Sequence, residues 1–155
     1  MLHEEKRIEV CKRFLELHGW IDIRSRGYSM FPYIREGDSC RFLALEKADR
    51  SACRPGDVLL FATGDGRLIG HRLHRVERAE HAYRYRLKGD TNLQYDEPIE
   101  DGQILGKLVW IRRGRRIRKA SGFFAFVWSW SMVRFPILSW PLRKAALLAS
   151  RKSAV

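Results

Sequence analysis

A chain of 155 residues is long enough for one domain with a real core and an appendage, and too short for two independent domains of ordinary size. Apolar residues make up 45% of it, which excludes wholesale disorder. The net charge of +12 suggests a nucleic-acid partner until it is located: residues 1–101 hold 18 Lys and Arg against 18 Asp and Glu, whereas residues 102–155 hold the other 12 Lys and Arg and no acid.

The first stretch, His3 to His18, predicts an amphipathic helix. Ile8, Cys11, Phe14, Leu15 and Leu17 recur at spacings of three and four, and Gly19 supplies a stop. The segment is dense in charge and lacks the apolar core of a secretory signal or a membrane anchor. From Trp20 onward the pattern changes to short runs of β-branched, aromatic and leucine residues between turn signals. The predicted strands are Trp20–Arg24, Ser39–Ala44, Asp57–Ala62, Leu68–Arg78, Ala82–Lys88 and Gln103–Ile111, and Thr63-Gly64-Asp65-Gly66 marks a hairpin. This punctuation points to a mainly β fold of folded-over antiparallel sheets.

Beyond Ile111, Arg112 to Lys119 holds six basic residues in eight, and four of the five tryptophans lie after residue 102. A boundary near Arg112 divides the chain into an N-terminal helix (1–19), a β domain (20–111) and a basic aromatic tail (112–155). The cysteines Cys11, Cys40 and Cys53 are odd in number and lack metal-ligand spacing, so they read as free thiols, with no metal and no cofactor expected.

Three segments carry chemistry. Gly27-Tyr28-Ser29-Met30-Phe31-Pro32 places a serine after a glycine and three residues before a proline, a pattern that fits a constrained bend with an exposed hydroxyl. Ile69-Gly70-His71-Arg72-Leu73-His74 places a histidine in an apolar strand just after a hairpin, where an imidazole can accept a proton near neutrality. Lys88-Gly89-Asp90-Thr91-Asn92-Leu93-Gln94-Tyr95-Asp96 offers two aspartates flanking a turn, either of which can orient an imidazole. Each alone has a plain reading as a turn serine, a packed histidine and an Asx-turn.

Their order is more specific. A Gly-x-Ser-Met-x-Pro bend, Pro-Gly-Asp before an apolar strand, His-Arg, then Lys-Gly-Asp with a later Asp resembles the type I signal peptidases. The similarity is to their archaeal and endoplasmic-reticulum-like Ser-His-Asp branch, within a superfamily that includes LexA-like self-cleaving repressors, and it covers Arg26 to Leu108. The resemblance implies a serine endopeptidase with Ser29 as nucleophile, His71 as base, Asp96 as triad acid and Asp90 in support. It also implies that Met30 and Pro32 shape the bend and the pocket wall. A precursor protein or peptide would bind extended along a strand edge, with small side chains near the cut.

The bacterial and LexA-like branches use a lysine base, and Leu68–Arg78 has none. His74 competes with His71, but strand alternation puts positions 71 and 74 on opposite faces, so only one can meet Ser29. The rival readings are a self-cleaving LexA-like regulator, whose DNA-binding domain the first 25 residues cannot hold, and an inactive peptidase-fold binding protein. The chain departs from the signal peptidases in placing the charged helix where they carry a membrane anchor, which points to a site on the cytoplasmic side.

In the tail, the charge-free run Phe123–Val133 is 11 residues, short of the roughly 20 needed to span a bilayer. Trp and Phe beside Arg and Lys suit the headgroup boundary, so residues 122–141 are expected to lie on a membrane surface. Packing on the β domain or on a second subunit is the alternative. No nucleic acid is expected, because such binding gives a charge-free stretch no purpose.

Overall fold

The computed structural model describes residues 2–45, 53–78 and 82–153. Helix α1 (Leu2–His18) ends where Gly19 turns to φ +73°, its N–H donating to the Leu15 carbonyl at 2.8 Å. Only part of its apolar stripe is covered: Leu15 is buried, while Val10, Phe14 and Leu17 stay exposed.

The strands β1 (Trp20–Arg24), β2 (Ser39–Ala44), β3 (Val58–Ala62), β4 (Leu68–Arg78), β5 (Tyr83–Lys88), β6 (Ile99–Glu100), β7 (Ile104–Arg113) and β8 (Arg116–Lys119) form one sheet. Its order is β1-β2-β7-β3-β4-β5-β6, with β8 on β7, and every pairing is antiparallel. The fold is therefore mainly antiparallel β, flanked by an N-terminal helix and C-terminal helices. Helix α2 (Phe123–Arg134) and helix α3 (Ser139–Ser153) are joined by a 3-10 turn, Pro136–Leu138.

Strand β7 has three partners. One edge runs along β2, while the other is shared between β3, at Ile104–Lys107, and β8, at Trp110–Arg113. Its register shifts opposite Arg41/Phe42 and opposite Leu60/Phe61, leaving Val109 and Leu105 as extra residues on β7, the pattern of β-bulges. All five residues of β3 are buried. Val58 and Leu60 join a cluster with Met30, Phe42 and Leu108, whereas Leu59 and Phe61 join Leu73, Tyr85 and Ile104. A two-residue alternation feeding two apolar clusters is what a strand covered on both faces requires.

The six predicted strands all form, within two residues of their expected ends. Three features differ from the sequence reading. β6 is only two residues long, too short to show alternation. The sheet continues past Arg112: β8 pairs Arg116 with Arg113, so the basic run is a hairpin that Gly114 turns at φ +58°. The tail is helical, and α2 packs on the body through Ala125 and Met132.

Gly106 sits where β7 crosses β2. A Cβ there would stand 2.6 Å from the Leu43 carbonyl oxygen and 3.2 Å from the Phe42 Cβ. Gly106→Ala is expected to lower stability by about 1–3 kcal/mol through overpacking, measured as a fall in the urea midpoint with an unchanged slope.

Candidate active site

Ser29 lies in the loop between β1 and β2, and that loop is pinned at both ends. Gly27 takes φ +76°, a conformation that L side chains rarely adopt, which sets the entry to the bend. Ser25 N–H donates to the Asp38 carbonyl at 2.8 Å and Gly37 N–H returns to the Ser25 carbonyl at 3.0 Å. Asp38, nearly fully buried, accepts from Arg35 N–H at 2.8 Å and pairs with the Arg113 guanidinium at 2.6 Å, anchoring the loop to the end of β7. The Phe31–Pro32 peptide is cis.

A second loop, after β5, closes on the first. Thr91 N–H donates to the Ser29 carbonyl at 2.9 Å, and the Thr91 hydroxyl reaches the carbonyls of Tyr28 and Ser29 at 3.1 and 3.2 Å. Only glycine fits at position 89, since a Cβ would stand 2.8 Å from the Ser29 carbonyl oxygen and 2.9 Å from the Asn92 side chain. Further on, Asp96 N–H donates to the Leu87 carbonyl at 2.9 Å, which sets that aspartate beside β4.

These two loops and β4 bring three side chains into line. His71 Nε2 is 3.0 Å from Ser29 Oγ, and His71 Nδ1 is 2.7 Å from Asp96 Oδ2. With its proton on Nδ1 the imidazole donates to Asp96 and accepts from the serine hydroxyl. Both distances lie in hydrogen-bond range, so a hydroxyl, an imidazole and a carboxylate are connected in order.

Asp90 goes elsewhere. Its two oxygens accept from Arg72 Nε and Nη2, each at 2.8 Å, and its Oδ2 also accepts from Trp128 Nε1–H at 2.9 Å. Arg72 Nη1 donates to Ser129 Oγ at 2.6 Å and to the Gly56 carbonyl at 2.9 Å. Both members of the pair have completely buried side chains. Asp90 has no hydrogen bond to His71; it holds the residue after it in sequence, which strand alternation turns to the other face. Arg72, Gly89, Thr91, Trp128 and Ser129 are the contributors that sequence reasoning did not assign. Arg72 had a local signal in the His-Arg pair, whereas nothing in the apolar run 123–133 marks Trp128 and Ser129.

His74 does not meet Ser29. It falls at a register shift, where Leu73 pairs with Leu87 but Arg75 pairs with Arg86. Its ring stands edge-on to Tyr95 at 5.2 Å, and its Nε2 is buried without a hydrogen-bond partner among the described residues. Of the two residues expected to shape the pocket, Met30 is buried against the cleft and lines it, whereas half-buried Pro32 is not among the lining residues. Cys40 also lines the cleft, but burial and then the neighbouring Asp38 carboxylate push its thiol up to about 12, so it stays neutral and is no rival nucleophile. Among the described residues, no group of three or more His, Cys, Asp or Glu side chains is placed to hold a metal ion.

Burial, and then the Lys88 ammonium, lower the His74 pKa from 6.5 to about 4, against the opposing pull of Asp90 and Asp96 and with a smaller push from Arg72. The unfolded chain therefore takes up a proton between those values that the folded chain refuses. Stability is expected to fall as pH drops from 6.5 toward about 4, by up to about 1.4 kcal/mol per pH unit. His74→Phe removes that part of the slope, as urea unfolding at pH 7, 6 and 5 would measure.

No protein-family model matches the chain, and neither does any curated protein or solved structure. The functional reading therefore rests on the geometry of these residues.

Proposed function

We propose that the chain is a serine endopeptidase of the signal-peptidase type, and that its sheet is a variant of the folded-over signal peptidase and LexA-like architecture. The observation that carries this reading is the unbroken line from Ser29 Oγ through the His71 imidazole to Asp96. In the first step Ser29 Oγ attacks the scissile carbonyl as His71 Nε2 takes its proton, and Asp96 stabilises the imidazolium. The tetrahedral intermediate then collapses, the C–N bond breaks, and the imidazolium gives the proton to the leaving amine. Water, deprotonated by the same imidazole, hydrolyses the acyl-enzyme and restores the serine.

The Ser29 backbone N–H makes no hydrogen bond among the described residues and is a natural oxyanion donor; losing one donor of this kind costs about 2.7–4 kcal/mol. The substrate strand has a place beside β4. Residues Leu68–Arg72 pair with β3 along one edge, whereas β5 begins its pairing only at Arg72 on the other. Among the described residues nothing pairs with the outer edge of Leu68–His71, which leaves it for an added strand that ends at the triad.

The same reading extends to a membrane surface. Among the described residues no helix is long and apolar enough to cross a bilayer. The segment from α2 to α3 nevertheless exposes Phe123 and Ile137 by 84% and 80%, and Phe126, Trp130 and Trp140 are exposed as well. Lys144 lies 3.7 Å over the Trp140 ring and Arg134 5.6 Å from that of Phe135, pairing cations with half-wet aromatics. With no acid after Asp101, such a face complements an anionic lipid surface, the character of a cytoplasmic leaflet.

The peptidase reading is tested with a proteome-derived peptide mixture and mass spectrometry of new N-termini. The native chain is expected to generate them, Ser29→Ala none, and Asp96→Asn about 10⁴-fold more slowly; equal cleavage by the native chain and Ser29→Ala would sink it. For the membrane, the chain is expected to co-sediment with phosphatidylserine-containing vesicles and far less with phosphatidylcholine alone. Phe126→Glu with Trp130→Glu should abolish that binding, and retention of binding by the double variant would remove this face from the account.

A further inference from the structure

Beside Ser29 and His71 lies a cavity of about 320 Å³, at the lower end of ligand-pocket size. Its wall is apolar: Ile23, Met30, Phe42, Leu60 and Leu68 face it from four strands and the serine loop. The volume runs from this apolar wall out to the rim and leaves room for a side chain larger than an alanine methyl. Small side chains at the cut, which the signal-peptidase resemblance implies, would leave the apolar wall uncovered.

The rim is of a different character. Arg24 and Arg26 stand on it from the end of β1, and Arg7 reaches it from α1. All three are exposed. Four carboxylates of the surrounding strands and loops are engaged: Asp22 is held by Arg41, Asp38 by Arg113 and Asp65 by Arg67, while Glu36 accepts from Gly27 N–H. None of the three rim arginines makes an ion pair with a carboxylate of the described residues. A smaller groove continues from the cavity past Arg7, Arg26 and Arg67 along Leu68 and Ile69, the same stretch of β4 whose outer edge is unpaired.

We infer that the cleft selects an acidic–apolar peptide segment: a bulky aliphatic or aromatic side chain fills the cavity, and a neighbouring carboxylate sits among Arg7, Arg24 and Arg26. The inference rests on the peptidase reading for the placement of the substrate strand, and it names the substrate class of that site. The apolar residue supplies most of the affinity, because filling an apolar pocket gains with every methylene. The arginines sort substrates by charge, and because they are exposed their contribution is screened by salt.

The experiment measures binding, so that it stands apart from turnover. Ser29→Ala is titrated, by fluorescence anisotropy, into three labelled decapeptides that differ only at the central positions: Leu flanked by Glu, Ala flanked by Glu, and Leu flanked by Lys. The Leu–Glu peptide is expected to bind at least about tenfold more tightly than the Ala–Glu peptide. It should also bind more tightly than the Leu–Lys peptide at low salt, by a margin that shrinks in 0.5 M salt by about the extent that the shorter Debye length dictates. Arg24→Glu with Arg26→Glu is expected to invert the charge preference while keeping the preference for Leu. Equal binding of the Leu and Ala peptides, absence of binding by all three, or a charge preference untouched by the double variant would overturn the inference. Cleavage of the peptide mixture by the native chain alongside any of those results leaves the peptidase reading standing and removes only this substrate class.

Discussion

The buried ion pair of Arg72 and Asp90 is the constraint on which the rest of the site depends. Burying two full charges is costly, and the arrangement is tolerable only because every oxygen and most of the guanidinium donors are occupied. Two bonds join the pair itself, Trp128 satisfies the carboxylate further, and Ser129 and the Gly56 carbonyl take the remaining guanidinium nitrogen. Removing one partner of such a pair leaves an uncompensated charge, at a cost of about 3–5 kcal/mol. The pair therefore fixes three segments relative to one another: the strand that carries His71, the loop that carries Asp96, and helix α2. His71 and Arg72 are neighbours on one strand, so a lock on one face holds the imidazole on the other in register.

Around that lock Ser29, His71 and Asp96 are held through backbone contacts. Thr91 binds the carbonyl of Ser29 itself, and Gly89 lets the two loops approach closer than any Cβ would permit. Preorganisation of this kind lowers the cost of reaching a reactive geometry, because the groups need not be ordered at the moment of reaction. The cleft beside the triad combines an apolar wall with a charged rim, and the strand edge next to it is unpaired. The Ser29–His71–Asp96 line, the apolar wall and the strand edge thus adjoin one another in one groove.

The legibility of this fold in its sequence follows from the range of the interactions involved. Strands such as Val58–Ala62 and Leu68–Arg78 are written in local composition and bounded by Gly and Asp turns, so they were readable residue by residue. β6 was not, since two residues carry no periodicity, and β8 was hidden because its arginines read as a charge run. The line of Ser29, His71 and Asp96 was legible through the order of the motifs, not through any one of them. The division of labour between the two aspartates was less so. Asp90 and Asp96 look alike along the chain, and what separates them is a partner on the far side of a strand. Trp128 and Ser129 were beyond reach: a tryptophan in an apolar run gives no sign that its indole N–H will complete a buried carboxylate. The tail helices illustrate the same limit, because uniform apolarity on a short segment does not reveal which face will meet the sheet.

The position of Trp128 has a temporal consequence. A ribosome delivers Ser29, His71 and Asp96 well before it delivers this tryptophan, and the charges it covers cannot be comfortably enclosed until it arrives. A nascent chain thus holds Ser29, His71 and Asp96 before the indole that completes the Arg72–Asp90 pair. Assembly of this region therefore follows the order of synthesis, with the strands present before the α2 contact that closes over the buried charges.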